Sequence, residues 1–233
     1  MKYLNFAAAI TTLSFLTPAA SHAATTVKIT NYAFPVGSQT GTLHYAGSPF
    51  DNRGVHAGEF KLTGTNLTAG GSVSFLTYCV DIFNALTVPG TFTIAPLSTL
   101  FSGAKATNIT KLLANTNPVT ANQSAAVQLA MWEIAFETGP TYNVNSGVNQ
   151  GAFWMTGGTS GSARTLANTY LASLSGWSVS TTHRAQLLYS RTNQSQVFLA
   201  PIPEPGTWAM MVFGFLLVGS TLRRRQPIYA VTA

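Results

Sequence analysis

One cysteine stands in the 233 residues of this chain, Cys79, inside the stretch FLTYCVDIF at 75–83. A thiol is a nucleophile once it loses its proton. A lone one has no disulfide partner in its own chain. Cys79 is therefore buried and inert, bonded to another molecule, or chemically engaged with a different side chain. The second residue of interest is Gln128, in the stretch VQLAMWE at 127–133. On a helix turning ~100° per residue, Gln128 shares the apolar side with Met131, Trp132 and Ala135, while Glu133 and Glu137 fall on the far side. A glutamine facing a core needs hydrogen-bond partners, or it costs roughly 1–3 kcal/mol. On the strand, alternation puts Cys79 on one face with Phe75, Thr77, Asp81 and Phe83, and Leu76, Tyr78, Val80 and Ile82 on the other. A helix packed on that strand would bring an inward glutamine to an inward cysteine.

The two segments together, YCVD at 78–81 and VQLAMWE at 127–133, resemble the thioester domains of bacterial surface adhesins. The resemblance implies that the Cys79 and Gln128 side chains condense into an internal thioester with loss of ammonia. Gln128, Ala130 and Trp132 match the glutamine motif of that family and Cys79 matches its thiol, whereas Val127 stands where the motif has threonine. It also implies that a surface amine or hydroxyl attacks the thioester, leaving an amide or ester on Gln128 and a free Cys79. Asp81 and Tyr78 are the neighbours expected to assist proton transfer. No catalytic residue is assigned and the chain is not expected to be an enzyme.

Other constellations point to less. His44, His56 and His183 lack the close pairing of metal ligands, so neither a metal nor a cofactor is expected. GGTSGSAR at 157–164 lacks the Gly-Lys-Ser/Thr end of a phosphate-binding loop and reads as a turn before a helix. Asp51 and Glu59 form the one candidate carboxylate pair, which keeps a secreted hydrolase as a second alternative.

The two ends of the chain speak about destination. Residues 1–23 have a lysine near the start, a short apolar run and small residues at Ser21 and Ala23, as a secretory signal peptide does. Near the other end, Pro203, Glu204 and Pro205 form a stiff spacer. An apolar run at 207–222 follows, with Arg223, Arg224 and Arg225 closing it. As a helix that run is about 24 Å long, short of a ~30 Å hydrocarbon core unless Trp208 and Arg223 anchor at the interfaces. A transmembrane helix is expected there, its arginine end cytoplasmic. The segment 201–225 resembles the sorting tail of PEP-CTERM proteins: the Pro-Glu-Pro signature, a short apolar helix and a basic end. The extension 226–233 runs past the point where such tails usually stop. The resemblance implies recognition by a membrane-embedded exosortase and cleavage near Pro-Glu-Pro. The passenger would then be delivered through the inner membrane to the cell surface or exopolysaccharide matrix of a Gram-negative bacterium.

The elements that must position Cys79 and Gln128 lie between the two ends. Removing Lys2 and Arg223–Arg225 from the 12 basic residues leaves eight, and removing Glu204 from the six acidic ones leaves five. The passenger is therefore only weakly basic and carries no stripe suited to nucleic acid. Its abundant threonine, serine, asparagine and glycine give an uncharged polar surface suited to neutral polysaccharide as well as to protein. Residues 24–200 read as one domain of the α+β class, a β-sandwich or barrel with a helical insert at about 102–175. Period-2 alternation predicts strands at 26–34, 41–47, 58–67, 72–83 and 90–97. Helical spacing predicts helices near 102–115, 124–137 and 162–174, and strands return at 176–182, 185–190 and 195–203. The expected function is that of an exported surface or matrix protein with an adhesive role, or else a non-covalent structural or polysaccharide-binding one.

Overall fold

The computed structural model describes residues 24–145, 147, 151–202 and 205–223. The signal-peptide expectation over 1–23 lies outside the described residues, as do Pro203, Glu204, Arg224 and Arg225. Nine strands and four α-helices are formed by the described residues: β1 (Thr26–Ala33), β2 (Gln39–Tyr45), β3 (Arg53–Ala57), β4 (Phe60–Asn66), β5 (Ser72–Cys79), β6 (Gly90–Pro96), α1 (Gly103–Asn115), α2 (Ala121–Phe136), β7 (Phe153–Thr156), α3 (Gly161–Ser173), β8 (His183–Tyr189), β9 (Gln196–Pro201) and α4 (Pro205–Arg223).

Six of these strands close a barrel in the order β1-β4-β5-β9-β8-β6, and every pair in it is antiparallel. Of the two architectures expected for the β framework, the barrel is the one formed. Alternation explains how it fills: Val27 and Ile29 of β1, Phe60 and Leu62 of β4, and Leu187 of β8 point inward and are buried. The register of β1 shifts between Ile29 and Asn31, which lets it bend around the barrel. Gly64 of β4 sits opposite Ile29 at that bend, where a Cβ would collide with the Lys28 carbonyl oxygen.

A second sheet of three strands, ordered β3-β2-β7, stands apart from the barrel. Two of its members depart from the sequence reading. β3 contains Gly54 and is half exposed, so it lacks an alternating apolar signal. β7 lies within the expected helical insert and pairs with β2 through Leu43↔Met155 and Tyr45↔Phe153. The insert is therefore helical with one strand that returns to the β2–β3 hairpin. A further correction concerns 176–182, expected as a strand: no strand begins before His183.

Helix α2 is the element that joins the parts. Thr120 caps its start by accepting the Gln123 N–H. It packs on α1 and α3, on β5 of the barrel, and on all three strands of the second sheet. Every residue from Ser124 to Phe136 is buried. The side of α2 away from Gln128, which carries Glu133 and Glu137, is buried as well, and both carboxylates are enclosed. They collect main-chain N–H groups of the segment that follows. Glu137 accepts from Thr138, Gly139, Ala152 and Phe153, and Glu133 accepts from Asn143. Those N–H groups have no strand partners, and an enclosed acceptor satisfies them.

Helix α4 covers the apolar run, with Pro205 and Arg223 as its end residues and exposed apolar side chains from Met210 to Val218. Among the described residues, no helix is long and apolar enough to cross a membrane. The expected transmembrane helix is corrected to that extent: a 19-residue helix forms, and its wholly apolar part is shorter than a hydrocarbon core.

Candidate functional site

Cys79 is the last residue of β5, paired with Gln196 of β9. Beyond it the strand ends, so the expected alternation does not carry on to Asp81 and Phe83. Only the final three residues of β5, Thr77, Tyr78 and Cys79, are buried, and the first five are exposed or partly so. The end of the strand leaves Cys79 with main-chain polar groups that need partners from elsewhere. Gln128 of α2 supplies both. Its Oε1 accepts the Cys79 N–H at 2.9 Å and its Nε2 donates to the Cys79 carbonyl oxygen at 2.8 Å. The two residues are almost wholly enclosed, Gln128 at 0% and Cys79 at 1% exposure. The structure therefore brings Cys79 and Gln128 into direct contact, with the carboxamide clamped on the cysteine main chain.

The thiol itself points along the chain and donates to the Asp81 carbonyl oxygen at 3.1 Å. The Asp81 carboxylate is occupied otherwise: it accepts the N–H groups of Phe83 and Asn84 and the Asn84 side-chain amide, which fixes the turn after β5. Its main-chain oxygen, not its carboxylate, faces the sulfur. Tyr78 points to the other side of the strand, where its hydroxyl donates to Glu59. Trp132 lies one turn after Gln128 on α2 and packs against Phe153 with ring centroids 6.3 Å apart. Its buried indole nitrogen has no hydrogen-bond partner among the described residues. It lies near enough to the sulfur to favour a thiolate, yet falls short of a formed hydrogen bond. Burial dominates and pushes the Cys79 thiol up to about 12, against the smaller opposing pull of the Trp132 N–H and of the contact with Asp81. At neutral pH the sulfur is thus a protonated thiol.

A cleft of about 370 Å³ opens against this pair from outside. Cys79 and Trp132 form part of its inner wall, and Gln128 does not line it. Its polar lining includes Arg53, His56, Asn84 and Gln194, and its apolar lining includes Phe34 and Phe60. A small reactant entering the cleft would meet the cysteine side of the pair first.

The remaining candidates are not brought together. Asp51 accepts from the Tyr45 N–H and pairs with His44, while Glu59 engages Tyr78 on the barrel side. His183 contacts Thr182. Among the described residues there is no cluster of three or more His, Cys, Asp or Glu able to hold a metal ion. Sequence reasoning missed Gln196, fully buried beside Cys79 and accepting from the Thr77 hydroxyl. A glutamine at the start of an apolar strand was the available signal. It also missed the enclosure of Glu133, whose second carboxylate oxygen is buried without a partner among the described residues.

Residues 201–226 match the family model described as the PEP-CTERM protein-sorting motif. The chain carries a PEP-CTERM sorting tail. That tail implies export, a surface or extracellular location and processing by an exosortase. No curated protein matches the chain. Among solved structures, the chain is similar to the N-terminal domain of the Streptococcus pyogenes pilus tip adhesin Cpa, at 13% identity and a TM-score of 0.41, over 76% of this chain and 99% of that one. At those values the likeness establishes neither family nor activity.

Proposed function

We propose that this exported protein is a surface adhesin whose Cys79 and Gln128 form an internal thioester. The observation that supports this is the clamp of the Gln128 carboxamide on Cys79, enclosed beside a cleft that reaches the cysteine. The condensation balances simply. The Cys79 sulfur bonds to the Gln128 carboxamide carbon, the C–N bond breaks, and the nitrogen leaves as ammonia with the thiol proton. Enclosure serves such a bond by keeping water from the acyl carbon. Attack by a nucleophile on a partner surface then joins that partner to Gln128 and returns the thiol. The event is a single covalent attachment and not a catalytic turnover. Before processing, the exposed apolar side chains of α4 associate the tail with the membrane.

A non-covalent surface or matrix protein is the second reading, and one observation favours it. Gln128 already satisfies both main-chain groups of Cys79, and the thiol has its own acceptor in Asp81, so the arrangement is complete as a structural clamp. Intact-mass measurement on the purified chain separates the two. A thioester gives a mass lower by one ammonia, shifts on adding methylamine, and is absent from Cys79→Ala. An unshifted mass, with a thiol alkylated only after unfolding, leaves the clamp and removes the covalent function.

A further inference from the structure

The chemistry of the cleft distinguishes among nucleophiles. We infer that the partner joined to Gln128 is a carbohydrate, attached through a hydroxyl whose proton is taken by His56. This rests on the thioester reading and adds the class of acceptor to it.

Charge is the first argument. Among the described residues, no Asp or Glu lines the cleft, and Arg53 does. A lysine ammonium would find no carboxylate to draw it in, and a guanidinium to repel it. With a pKa of ~10.4, roughly one lysine in 2,500 is neutral and nucleophilic at pH 7. A hydroxyl is neutral as it arrives and meets no such barrier.

Shape is the second. Tyr32, Phe34 and Phe60 form an aromatic wall, with Phe34 and Phe60 ring centroids at 4.6 Å and Tyr32 and Phe60 at 5.9 Å. Tyr32 is exposed, so its ring is presented to a ligand. The C–H face of a pyranose packs on such rings while its hydroxyls reach amides, here Asn84 and Gln194.

A hydroxyl needs a base, which a neutral amine does not. His56 is the imidazole lining the cleft. Its Nδ1 pairs with the Ser38 hydroxyl, which orients the ring and leaves Nε2 to take the proton. The carbohydrate oxygen bonds to the acyl carbon of Gln128, the carbon–sulfur bond breaks, and the departing sulfur receives the proton from His56. The products are an ester on Gln128 and a Cys79 thiol. Burial keeps that thiol protonated, so it does not reverse the ester by thiolate attack.

The test uses the purified full chain, its thioester first verified by the ammonia-deficient mass. It is incubated at pH 7 with maltotriose or Nα-acetyl-lysine at equal concentration, and adducts are read by intact mass. The maltotriose adduct is expected to form about tenfold faster, a difference of ~1.4 kcal/mol in barrier. His56→Gln should slow maltotriose attachment by about tenfold or more and leave the methylamine reaction unchanged. Tyr32→Ala should reduce maltotriose attachment alone. An intact thioester that takes lysine faster, or takes neither, overturns the carbohydrate assignment and leaves the thioester standing. An unchanged maltotriose rate in His56→Gln removes the role of His56. A chain with no ammonia-deficient mass removes the thioester and this inference with it.

Discussion

Gln128 and Glu133 lie on the same buried helix, and their different satisfaction gives different consequences. Gln128 has both ends of its carboxamide paired to the Cys79 main chain. Removing it by Gln128→Ala leaves a buried N–H and a buried carbonyl without partners, each costing roughly 1–3 kcal/mol. A loss of about 2–4 kcal/mol is expected in urea unfolding. Cys79→Ala should cost less, because the clamp is made to main-chain atoms and survives the substitution. Equal losses would show that the side chain of Cys79 is what holds the pair. Glu133 is the opposite case. One carboxylate oxygen accepts the Asn143 N–H and the other has no partner among the described residues. Burial raises its pKa from 4.5 to about 7; the Asn143 N–H opposes the rise and the charge of Glu137 adds to it. The folded state therefore holds this proton more tightly than the unfolded state does. The stability it contributes is complete below pH 4.5 and is lost as pH rises through about 7. The loss is on the order of 2–3 kcal/mol. Glu133→Gln should flatten that slope, read as the difference in urea midpoint between pH 5 and pH 8. A slope that persists unchanged in the variant would assign it to another group.

At the scale of elements, what the sequence made legible follows from which forces repeat along the chain. β1, β4 and β6 alternate because one face fills the barrel and the other meets solvent, and that period-2 signal is plain in TVKIT, FKLTG and GTFTI. Helices α1 and α3 carry one apolar stripe each, centred on Ile109 and Leu112 and on Ala163, Ala167 and Leu171. The approach of Cys79 to Gln128 was legible for the same reason, since a polar residue on the apolar side of α2 needs a partner. The misses share a cause too. β3 and β7 exist through pairing with β2: β3 is a short, largely exposed hairpin arm carrying Gly54, and the partner of β7 lies far away in sequence, so neither leaves a local periodicity. The enclosure of Glu133 and Glu137 was not legible either, because their oxygens are spent on N–H groups of Thr138, Gly139, Asn143, Ala152 and Phe153 that no sequence pattern marks. Barrel closure likewise depends on Gly64, which reads as a weak point in a strand but permits the approach of β1 at its bend. Gly64→Ala should displace β1 and cost about 2–4 kcal/mol. Gly54→Ala on β3, where a Cβ meets nothing, should stay within about 0.5 kcal/mol. Matching urea midpoints for the two variants would contradict the close approach.

At the scale of the whole molecule, the barrel and the sorting tail overlap only at Pro201 and Ile202, where Pro201 closes β9 and the Ile202 N–H donates to the Thr182 carbonyl oxygen. β9 pairs with β5 and β8 and ends at Pro201, two positions before Pro203, so every barrel strand is complete before the motif's Pro-Glu-Pro begins. Beyond that point α4 presents Met210, Met211, Val212, Phe213, Phe215, Leu216, Leu217 and Val218 as exposed apolar side chains. An exposed apolar surface of this extent is a liability for a protein in water, and it needs either a membrane around it or removal. A cut between β9 and α4 would provide the removal and leave the barrel and the Cys79–Gln128 pair intact. Replacing Pro203, Glu204 and Pro205 together with alanine should therefore block processing while leaving the fold unchanged. Cells carrying the variant should hold a longer, membrane-associated form by immunoblot of fractions, and the surface or medium fraction should be depleted of it. The retained form, extracted with detergent, should unfold at the same urea concentration as the parent. Normal release of the alanine variant would separate the PEP-CTERM motif from processing in this chain, and a shifted midpoint would show that the barrel leans on its tail.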